Sequence, residues 1–401
     1  MRMNYQKTIW CILFLLAIGS CKKDEKVAEA QYPAYLEIKK EGVDISITGM
    51  GRYATQNKEL VIQTAEVFSQ FQQRETNHYV LDVSEKSTRP ISEKIRFYNS
   101  SGLDKHLGSL KFEETKSTMA GFAANYTSSN LLNIYLFRLT GNSGISFLRT
   151  TNQSLTNIEP IKFVDVNDGY LLVGAKINGS DRNVVVIKYS LSFNKIWEKE
   201  YGGAGNDMAM DAVDLCDTNY GILAYTYSKG AGDRDIWFLK LDRNGYVLSD
   251  TTFGGAGYDE PQRIIQQNGC DLYIAGHSAS FGAPEHDGYI IKLDYKGNKV
   301  WEKTFGTPMH DGFNAITNIP NTKTFIAAGR SMQGIGQPED IFLVSFDEDG
   351  RELWRKKYGD PNLTELPQEI IADNEFYYLA CNRIDIAGKS HGLFIKDKLG
   401  K

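Results

Sequence analysis

Apolar residues in the C-terminal two thirds of the chain alternate with polar residues in short blocks that recur at a nearly constant spacing. Four such blocks share one pattern, and their first residues lie 52, 52 and 53 positions apart: 183–189, 235–242, 287–294 and 340–347. A self-similar period of roughly 50 residues with strand-like content is typical of a β-propeller. The sequence therefore predicts an all-β fold of the propeller type.

Each repeat unit begins with the pattern of a hairpin. In the unit that starts at Asp287, a strand at 289–293 is followed by a turn at 294–298 and a second strand at 300–305. An Asp-x-x-Gly stretch favours a tight turn, because Asp can bond to its own turn backbone and Gly accepts a positive φ. A third strand ends in small residues, as in 272–277 and 325–330, and small residues favour a place near the crowded central axis.

The same period extends towards both ends of the chain. The pattern recurs at 391–396, at 133–139 and more loosely at 79–83. The last strand then lacks the rest of its blade, and the segment 35–72 lacks one strand, so pairing the C-terminus with the N-terminal sheet would close the ring and remove exposed edges. We expect seven four-stranded blades; six or eight are alternatives, because the first 130 residues match the repeat poorly.

The N-terminus has the pattern of an export signal. Arg2 and Lys7 precede an apolar run at 9–17 and small residues, and that run is too short to span a bilayer as a mature helix. The stretch Ile-Gly-Ser-Cys21 resembles the lipobox of bacterial lipoproteins, which implies that Cys21 becomes the lipidated first residue. The following Lys-Lys-Asp-Glu at 22–25 resembles the charged export signal of Bacteroidota surface lipoproteins.

These features divide the chain into three parts. We expect a lipoprotein signal peptide at 1–20, a lipidated cysteine with a polar tether at 21–34 and the propeller domain at 35–401. The expected location is the outer membrane, lipid-anchored and exposed at the cell surface, with a periplasm-facing anchor as the alternative.

Charge and cysteine content narrow the choice of partners. The net charge is −5 and no basic stripe is present, so nucleic acid is not an expected partner. Apart from Cys11 and Cys21, the cysteines are Cys216, Cys270 and Cys381. An odd number without tight spacing does not indicate a disulfide framework, although Cys216 and Cys270 occupy similar places in adjacent repeats and could meet.

One repeated string carries a family resemblance. Leu-Asp-x-x-Gly-x-x-x-Trp at 293–301, and its variant at 346–354, resemble the repeat of quinoprotein-type propellers and of the outer-membrane assembly lipoprotein with that fold. The fuller unit, over residues 130–401, is more similar to propeller repeats of secreted and lipidated Bacteroidota proteins. The resemblance implies that Trp197, Trp301 and Trp354 dock each blade onto the next. Ser249 stands where tryptophan is expected, which predicts a weaker junction there.

A column of acidic residues recurs with the repeat. Asp207, Asp259 and Asp311 each lie five residues after Gly202, Gly254 and Gly306, and Thr364 takes the equivalent place in the next unit. The carboxylates could form a ring that binds Ca²⁺ or cationic groups, or each could accept local backbone hydrogen bonds in a turn. Recurrence at the repeat period favours the structural role, because ligand contacts seldom repeat in every blade.

A second column varies within the fixed frame and gives the candidate binding site. The residue after the small pair of the third strand changes from unit to unit: Ala175, Tyr227, His277, Arg330 and Asn382. If this column lines the channel mouth, Tyr227, His277, Arg330 and Asn382 form an asymmetric polar and aromatic ring suited to a sugar or peptide. The alternative is simple tolerance at a solvated loop end.

Catalytic and metal-binding patterns are weak. His277, His286, Asp287 and His310 fall within 34 residues but lack metal-ligand spacing, and no nucleophile elbow or phosphate-binding loop is present. We therefore expect no metal, no cofactor and no enzyme activity. The expected function is a binding or scaffold module for a glycan or envelope protein. Alternatives are an assembly factor of an outer-membrane complex and an enzyme, either a carbohydrate-active lyase or hydrolase or another propeller enzyme; the oligomeric state stays open.

Overall fold

The computed structural model describes residues 34–39, 43–52, 59–68, 73–82, 87–90, 95–98, 106–113, 118–128, 131–140 and 146–400, the last without 268, 283, 284, 333 and 335. The predicted signal peptide, Cys21 and the tether to residue 33 lie outside the described residues. Residues Pro33–Lys401 form one compact unit. Within the described ranges, no helix has the length and apolar character needed to cross a membrane.

The described residues form 29 strands in seven sheets. Strand β1 is Ala34–Ile38. Sheet 1 contains β2 (Val43–Arg52), β3 (Glu59–Phe68), β4 (Gln73–Asp82), β5 (Ser87–Pro90) and β6 (Ile95–Tyr98). Sheet 2 contains β7 (His106–Glu113), β8 (Thr118–Ser128), β9 (Leu131–Thr140) and β10 (Ser146–Thr156). Sheet 3 contains β11 (Ile158–Val166), β12 (Gly169–Asn178), β13 (Asp181–Tyr189) and β14 (Lys195–Tyr201).

The remaining sheets come from the clear repeats. Sheet 4 contains β15 (Met208–Asp214), β16 (Tyr220–Thr226), β17 (Asp235–Leu241) and β18 (Val247–Phe253). Sheet 5 contains β19 (Asp259–Gln266), β20 (Leu272–Ser278), β21 (Asp287–Leu293) and β22 (Lys299–Phe305). Sheet 6 contains β23 (Asp311–Asn318), β24 (Thr324–Met332), β25 (Glu339–Asp347) and β26 (Glu352–Tyr358). Sheet 7 contains β27 (Thr364–Ala372), β28 (Phe376–Ile384), β29 (Ser390–Lys398) and β1.

Each sheet is antiparallel, and neighbours in the chain pair in order, except that β6 pairs with β4 in sheet 1 and β1 pairs with β29 in sheet 7. The first strand of each sheet contacts the first strands of the two sheets beside it, and these contacts run through β2, β7, β11, β15, β19, β23 and β27 and back to β2. An all-β structure of seven sheets whose first strands meet in a closed cycle is consistent with the predicted β-propeller.

Burial explains why the middle strands have near-continuous apolar runs. Strands β16, β17, β20 and β21 are buried along their whole lengths, because neighbouring sheets cover both of their faces. The fourth strands β18 and β22 are mostly exposed or half-buried. The period-2 alternation is therefore weak in the centre of each sheet and is replaced by short apolar blocks.

The ends of the chain meet in sheet 7, as predicted. Strand β1 pairs with β29 in an antiparallel register that joins Tyr35 to Ile395. The predicted division of strands between blades was wrong in detail, because β29 already belongs to a sheet with β27 and β28, and β1 supplies the fourth strand. Residues 43–98 form a separate sheet of five strands, so the segment 35–72 is not one incomplete blade.

The hairpins have the expected geometry, but the strand predicted to lie nearest the axis is the second of its sheet. Strands β20, β24 and β28 each lie one step outside a first strand that the pattern did not reveal. Each of these first strands, β19, β23 and β27, has a register shift, at Pro261/Arg263, Phe313/Ala315 and Pro367/Glu369. A β-bulge breaks the alternation that reveals a strand in a sequence.

Tryptophans bridge three of the junctions between sheets. Trp197 of sheet 3 donates to the carbonyl of Arg243 in sheet 4 at 3.1 Å, and Trp301 of sheet 5 donates to that of Glu348 in sheet 6 at 3.0 Å. Trp354 of sheet 6 stacks on Tyr377 of sheet 7 with ring centroids 6.0 Å apart. Each indole therefore lies between two consecutive sheets.

The junction between sheets 4 and 5 lacks a tryptophan and carries a disulfide instead. Ser249 stands at the tryptophan position, and Phe238 lies against Gly297 of the next sheet. Cys216, in the turn after β15, is bonded to Cys270, in the turn after β19. The pairing that the sequence left open is therefore present, because equivalent turns of adjacent sheets bring the two Cα atoms to 5.8 Å.

Candidate functional site

The acidic column and the variable column lie at one edge of the sheets. We call the edge at which the first strands begin the top edge; second strands end there and third strands begin there. The connections between consecutive sheets also cross this edge. Residues that lie far apart in the sequence therefore converge along it.

The acidic column makes turns at the top edge. One carboxylate oxygen of Asp207 accepts from the Gly203 amide at 3.0 Å and from the Ser228 hydroxyl at 2.7 Å. Asp259 repeats this with Gly255 at 2.8 Å and Ser280 at 2.6 Å. These carboxylates are fully buried, and their local bonds fit the turn role rather than a ring of free cation ligands.

The register identifies a different fourth member of this column. In the first strands, Asp259 pairs with Ser278 and Asp311 with Ser331, while Glu365 pairs with Arg383 at the equivalent step. The spacing had indicated Thr364. The sequence count fails here because the connection from sheet 6 to sheet 7 is one residue longer than the others.

The strand register places Tyr225, and not Tyr227, at the variable position of sheet 4. His277 pairs with Glu260 and Arg330 with Gly312, and the equivalent pair in sheet 4 is Tyr225 with Met208. Tyr227 follows the end of β16 instead, where its side chain is 36% exposed. Tyr225 is almost fully buried, so Tyr227 is the more accessible of the two rings.

Arg234 lies among three tyrosine rings at the top of sheets 4 and 5. Its guanidinium carbon is 4.0 Å from the ring centroid of Tyr225, 5.0 Å from Tyr227 and 4.3 Å from Tyr258. The guanidinium forms an ion pair with Glu260, which also accepts from the Tyr258 hydroxyl. We call Arg234, Tyr225, Tyr227, Tyr258 and Glu260 the arginine cage.

Three histidines continue the arginine cage towards sheet 6. His277 and His286 stack on Tyr258 with centroid distances of 5.8 and 5.5 Å, and on each other at 5.4 Å. His310 meets His286 edge to face at 4.7 Å. The cage and these histidines, together with the Arg330–Glu339 ion pair of sheet 6, form a continuous row of planar side chains. We call this row the top-edge belt.

Burial favours the uncharged forms of His277 and His310. Burial, with the nearby charges of His286 and Arg330, lowers the pKa of His277 to about 3. Burial also lowers the pKa of His310. Among the described residues, Nδ1 of His286 and Nε2 of His310 have no hydrogen-bond partner. His310 thus offers a neutral imidazole nitrogen to a ligand near neutral pH.

An ion network crosses the centre of the ring below the belt. Arg263 lies three residues further along β19 than Glu260 and donates to Glu369 of β27 at 2.8 Å. Lys162 of β11 lies 3.6 Å from the same carboxylate. These three strands belong to sheets 5, 7 and 3, which are not neighbours. The network therefore forms a charged floor beneath the top edge.

The structure brings together three of the four predicted ligand residues. Tyr227, His277 and Arg330 all lie in the belt. The Asn382 side chain instead accepts from the backbone amide of Ile47 at 2.6 Å, a contact between sheets 7 and 1. Ala175 is fully buried.

The sequence interpretation did not assign five belt residues to the binding site, although it weighed His286 and His310 as metal ligands. Arg234, His286 and Glu339 each precede the first residue of the recurring third-strand block, and Tyr258 and His310 precede the acidic column. These positions vary at the repeat period just as the predicted column does. An alignment of the repeats on the Asp of the third-strand block and on the Asp of the acidic column would therefore have identified these residues as variable positions.

Metal-ligand geometry does not arise from the three histidines. Within the described residues, no group of three or more His, Cys, Asp or Glu side chains could hold a metal ion. The side chains of the belt face one another as stacked rings, a geometry that positions planar surfaces rather than converging nitrogens.

Comparison with known proteins supports the fold. No protein-family model matches the chain, and no curated protein matches it. Among solved structures, polysaccharide lyase Uly1 is similar at 8% identity with a TM-score of 0.54, over 86% of this chain and 89% of that one. The β-propeller domain of the Trilobed protease from Pyrococcus furiosus is similar at 9% identity with a TM-score of 0.51, over 89% and 96%.

A protein of unknown function from Dyadobacter fermentans also matches, at 12% identity with a TM-score of 0.46, over 91% of this chain and 98% of that one. At such identities, similarity extends to the fold alone. Together with the seven sheets, the similarity to the Trilobed protease domain and to Uly1 supports an all-β chain of the β-propeller type.

Proposed function

We propose that this protein is a lipid-anchored, seven-bladed β-propeller that binds a carbohydrate through its top-edge belt. The observation that carries the proposal is the row of stacked tyrosine, arginine and histidine side chains across sheets 4, 5 and 6. Planar aromatic surfaces beside fixed polar groups are the features that recognise sugar rings.

The balance of charge in the belt favours an uncharged, hydroxyl-rich ligand. The Arg234 guanidinium is paired with Glu260, and Arg330 lies 3.5 Å from Glu339. His277 is neutral near pH 7, because burial lowers its pKa. A ligand therefore meets compensated charges and neutral hydrogen-bonding groups, which suit hydroxyls better than a strongly charged partner.

Exposure within the belt favours stacking from the solvent side. Tyr227 is 36% exposed, while Arg234 and Tyr258 are half-buried beneath it. The ion pair and the Tyr258 hydrogen bond to Glu260 hold the cage before a ligand arrives. Preorganised groups lose little conformational entropy on binding.

The ring of seven blades is supported by two features. First strands contact one another in a closed cycle of seven, and β1 completes the sheet of β27, β28 and β29. Such closure removes the free sheet edges of an open array.

The proposed location is the cell envelope, with the lipid on Cys21 and the propeller at the outer surface. The Cys216–Cys270 disulfide favours an exported protein, because disulfides persist in oxidising compartments. Metabolic labelling with a radioactive fatty acid tests the anchor: wild-type chain should incorporate label and Cys21→Ser should not. Equal labelling of both would overturn the anchor.

A glycan array probed with the full chain tests the proposed function. Tyr227→Ala should weaken binding of the best glycan by roughly tenfold, since it removes an exposed stacking ring. Tyr295→Ala is the matched control, because Tyr295 is 45% exposed but lies in the turn between β21 and β22 at the opposite edge. Its binding should equal that of wild type.

Two results would contradict carbohydrate binding at the belt. One is an array without any bound glycan while an outer-membrane protein is retained equally by wild type and Tyr227→Ala, which would favour the assembly-factor alternative. The other is an equal loss of glycan binding in Tyr227→Ala and Tyr295→Ala, which would place the site elsewhere.

A polysaccharide lyase is the second candidate, because the belt combines arginine, histidine and tyrosine and the fold is similar to that of a polysaccharide lyase. In β-elimination a base removes the proton next to a uronate carboxylate, the bond to the leaving oxygen breaks, and a carbon–carbon double bond forms. The low pKa of His277 makes it a weak base, so we place binding first. Ultraviolet absorbance of an unsaturated uronate product would reverse this order.

A further inference from the structure

A cavity of about 260 Å³ lies between sheets 6 and 7 and shares no residue with the top-edge belt. Its polar walls come from Tyr35 and Glu37 of β1, Tyr358 at the end of β26, Glu365 of β27 and Arg383 of β28. The strand from the N-terminal part of the chain thus completes a site whose other walls come from the last 61 residues. We call it the closure pocket.

Glu365 is the central polar group of the closure pocket. The residue is 0% exposed. Its Oε1 accepts from Arg383 Nε at 3.1 Å and lies 3.0 Å from Arg383 Nη2. Its Oε2 is buried without a hydrogen-bond partner among the described residues. A buried carboxylate oxygen without a donor is costly, and a ligand donor would relieve that cost.

The bonds of Arg383 go to other oxygens than Oε2 of Glu365. Its Nη1 donates to Glu37 at 2.6 Å, while the other side of the guanidinium is bonded to Oε1 of Glu365. In sheets 4 and 5 the equivalent acid accepts from a loop serine, Ser228 or Ser280. In sheet 7, the ion pair between Glu365 and Arg383 takes the place of this hydrogen bond between an aspartate and a serine. A cavity lies beside the ion pair.

The charges around Glu365 favour a cationic ligand. Three further carboxylates surround Glu365, those of Glu37, Asp340 and Asp360. The cations in this region are Arg383 and Lys39. The remaining walls are apolar, formed by the buried side chains of Ile341, Leu393 and Ile395. The pocket therefore combines an anionic end with a hydrocarbon surface.

We propose that the closure pocket binds a primary ammonium group carried on a short apolar stem, with Oε2 of Glu365 accepting a hydrogen bond from the ammonium. Tyr35, which is 51% exposed, presents an aromatic wall at which a cation is also stabilised. The apolar stem packs against Ile341, Leu393 and Ile395. The same chemistry occurs in a free alkylamine and in a lysine side chain.

Protonation of Glu365 gives the site a pH dependence. Burial raises the pKa of Glu365 to about 7, the charge of Arg383 and a backbone hydrogen bond from Asp360 oppose the rise, and the charge of Asp340 adds to it. Only the ionised form attracts the ammonium, so affinity falls as the pH drops below about 7. The titratable groups facing Glu365 are Arg383 and Cys381 of β28, Glu37 and Tyr35 of β1, Asp340 of β25, Tyr358 of β26 and Asp360 of the following loop.

Calorimetric titration of the full chain tests the proposal, with butylamine as the free amine, Nα-acetyl-lysine amide as the side-chain form and butanol as the uncharged control. Butylamine should bind, with or without binding of Nα-acetyl-lysine amide, and butanol should not bind. Binding of both points to a lysine side chain as a source, and binding of butylamine alone points to a free amine. Glu365→Gln should lower amine affinity by at least about tenfold, the cost of losing a hydrogen bond to a charged group.

Two further variants keep the test decisive. Glu348→Gln makes the same change of charge in the turn between β25 and β26, at the opposite edge, and should bind the amine like wild type. If Glu365→Gln does not fold, Tyr35→Ala decides, with an expected loss of about threefold from the exposed aromatic wall. Absence of amine binding by wild type, equal binding of butanol, or full affinity in folded Glu365→Gln would each overturn the proposal.

Discussion

The top-edge belt and the closure pocket lie at the same edge of the sheets and use equivalent backbone positions, yet their chemistry differs. In sheet 5, His277 follows the small pair of β20, and one carboxylate oxygen of Asp259 accepts from the Gly255 amide and the Ser280 hydroxyl. In sheet 7, Asn382 takes the histidine position and Glu365 the aspartate position. The repeated frame therefore fixes where side chains lie, and the residues that vary within it determine what each place can bind.

Burial acts in opposite directions at the two places. It lowers the pKa of His277 to about 3 and raises that of Glu365 to about 7. Both groups are held towards their neutral forms, which is the expected effect of desolvation. His277 is consequently neutral over a wide range of pH, whereas Glu365 changes its charge near pH 7.

The two places also rest on differently built junctions. The belt begins over the junction of sheets 4 and 5, where Ser249 replaces the expected tryptophan and the Cys216–Cys270 disulfide joins the sheets. The pocket lies at the junction of sheets 6 and 7, where Trp354 stacks on Tyr377. A disulfide therefore joins sheets 4 and 5, whereas aromatic packing joins sheets 6 and 7.

Removing the disulfide should produce the largest effect. The Cys216→Ser, Cys270→Ser double variant should lose about 3 kcal/mol of unfolding free energy, because the bond restricts the unfolded chain. Urea unfolding of the full chain measures the loss. Glycan binding at the belt should weaken with it, while amine binding at the closure pocket should not change.

The comparison of junctions fails if the double variant is as stable as wild type. Treating wild type with a reductant provides the control, since it should reproduce the double variant and should have no further effect on it.

Acidification should destabilise the belt through His277. The folded state disfavours the imidazolium, so the unfolded chain binds more protons between the ordinary pKa of 6.5 and the folded value of about 3. Unfolding free energy should therefore fall by about 2 kcal/mol between pH 7 and pH 5 from this group. His277→Gln should remove that part of the decline, as measured by urea unfolding at both pH values. An unchanged pH profile in the variant would contradict the assignment.

Raising the pH should act on the closure pocket in the opposite sense. Glu365 has a folded pKa of about 7 against an ordinary value of 4.5, so its contribution is fully present below 4.5 and is lost as the pH rises through 7. Between pH 5 and pH 8, the unfolding free energy of wild type should fall by about 2 kcal/mol more than that of Glu365→Gln, because only wild type carries the titrating carboxyl. Parallel profiles of the two proteins would show that the carboxyl titrates normally.

The sequence predicted the repeated arrangement of strands better than it predicted the residues of the candidate sites. Hairpins, the repeat and the pairing of the chain ends follow from local signals, such as the turn at Asp294, whose carboxylate accepts from the amides of Lys296 and Asn298 at 2.9 Å. The first strands were missed because bulges interrupt their alternation. Glu365 was missed because one extra residue in a connection shifts the count from Thr364.

The belt could be predicted only in part, because it depends on register across sheets. Tyr227, His277 and Arg330 were identified from one variable column. Arg234 and Tyr258 pair as an isolated bridge between connections, and a single sequence does not show which connections meet. The disulfide was left open for the same reason, since Cys216 and Cys270 approach only when equivalent turns of adjacent sheets lie side by side.

Hydrogen–deuterium exchange of the full chain with the best glycan from the array tests the central claim most directly. Carbohydrate binding at the belt predicts that the glycan slows exchange in segments 225–234, 258–262 and 277–286 and leaves segments 358–365 and 383–395 of the closure pocket unchanged. Protection confined to the pocket segments or to the opposite edge, with the belt segments unaltered, would contradict it.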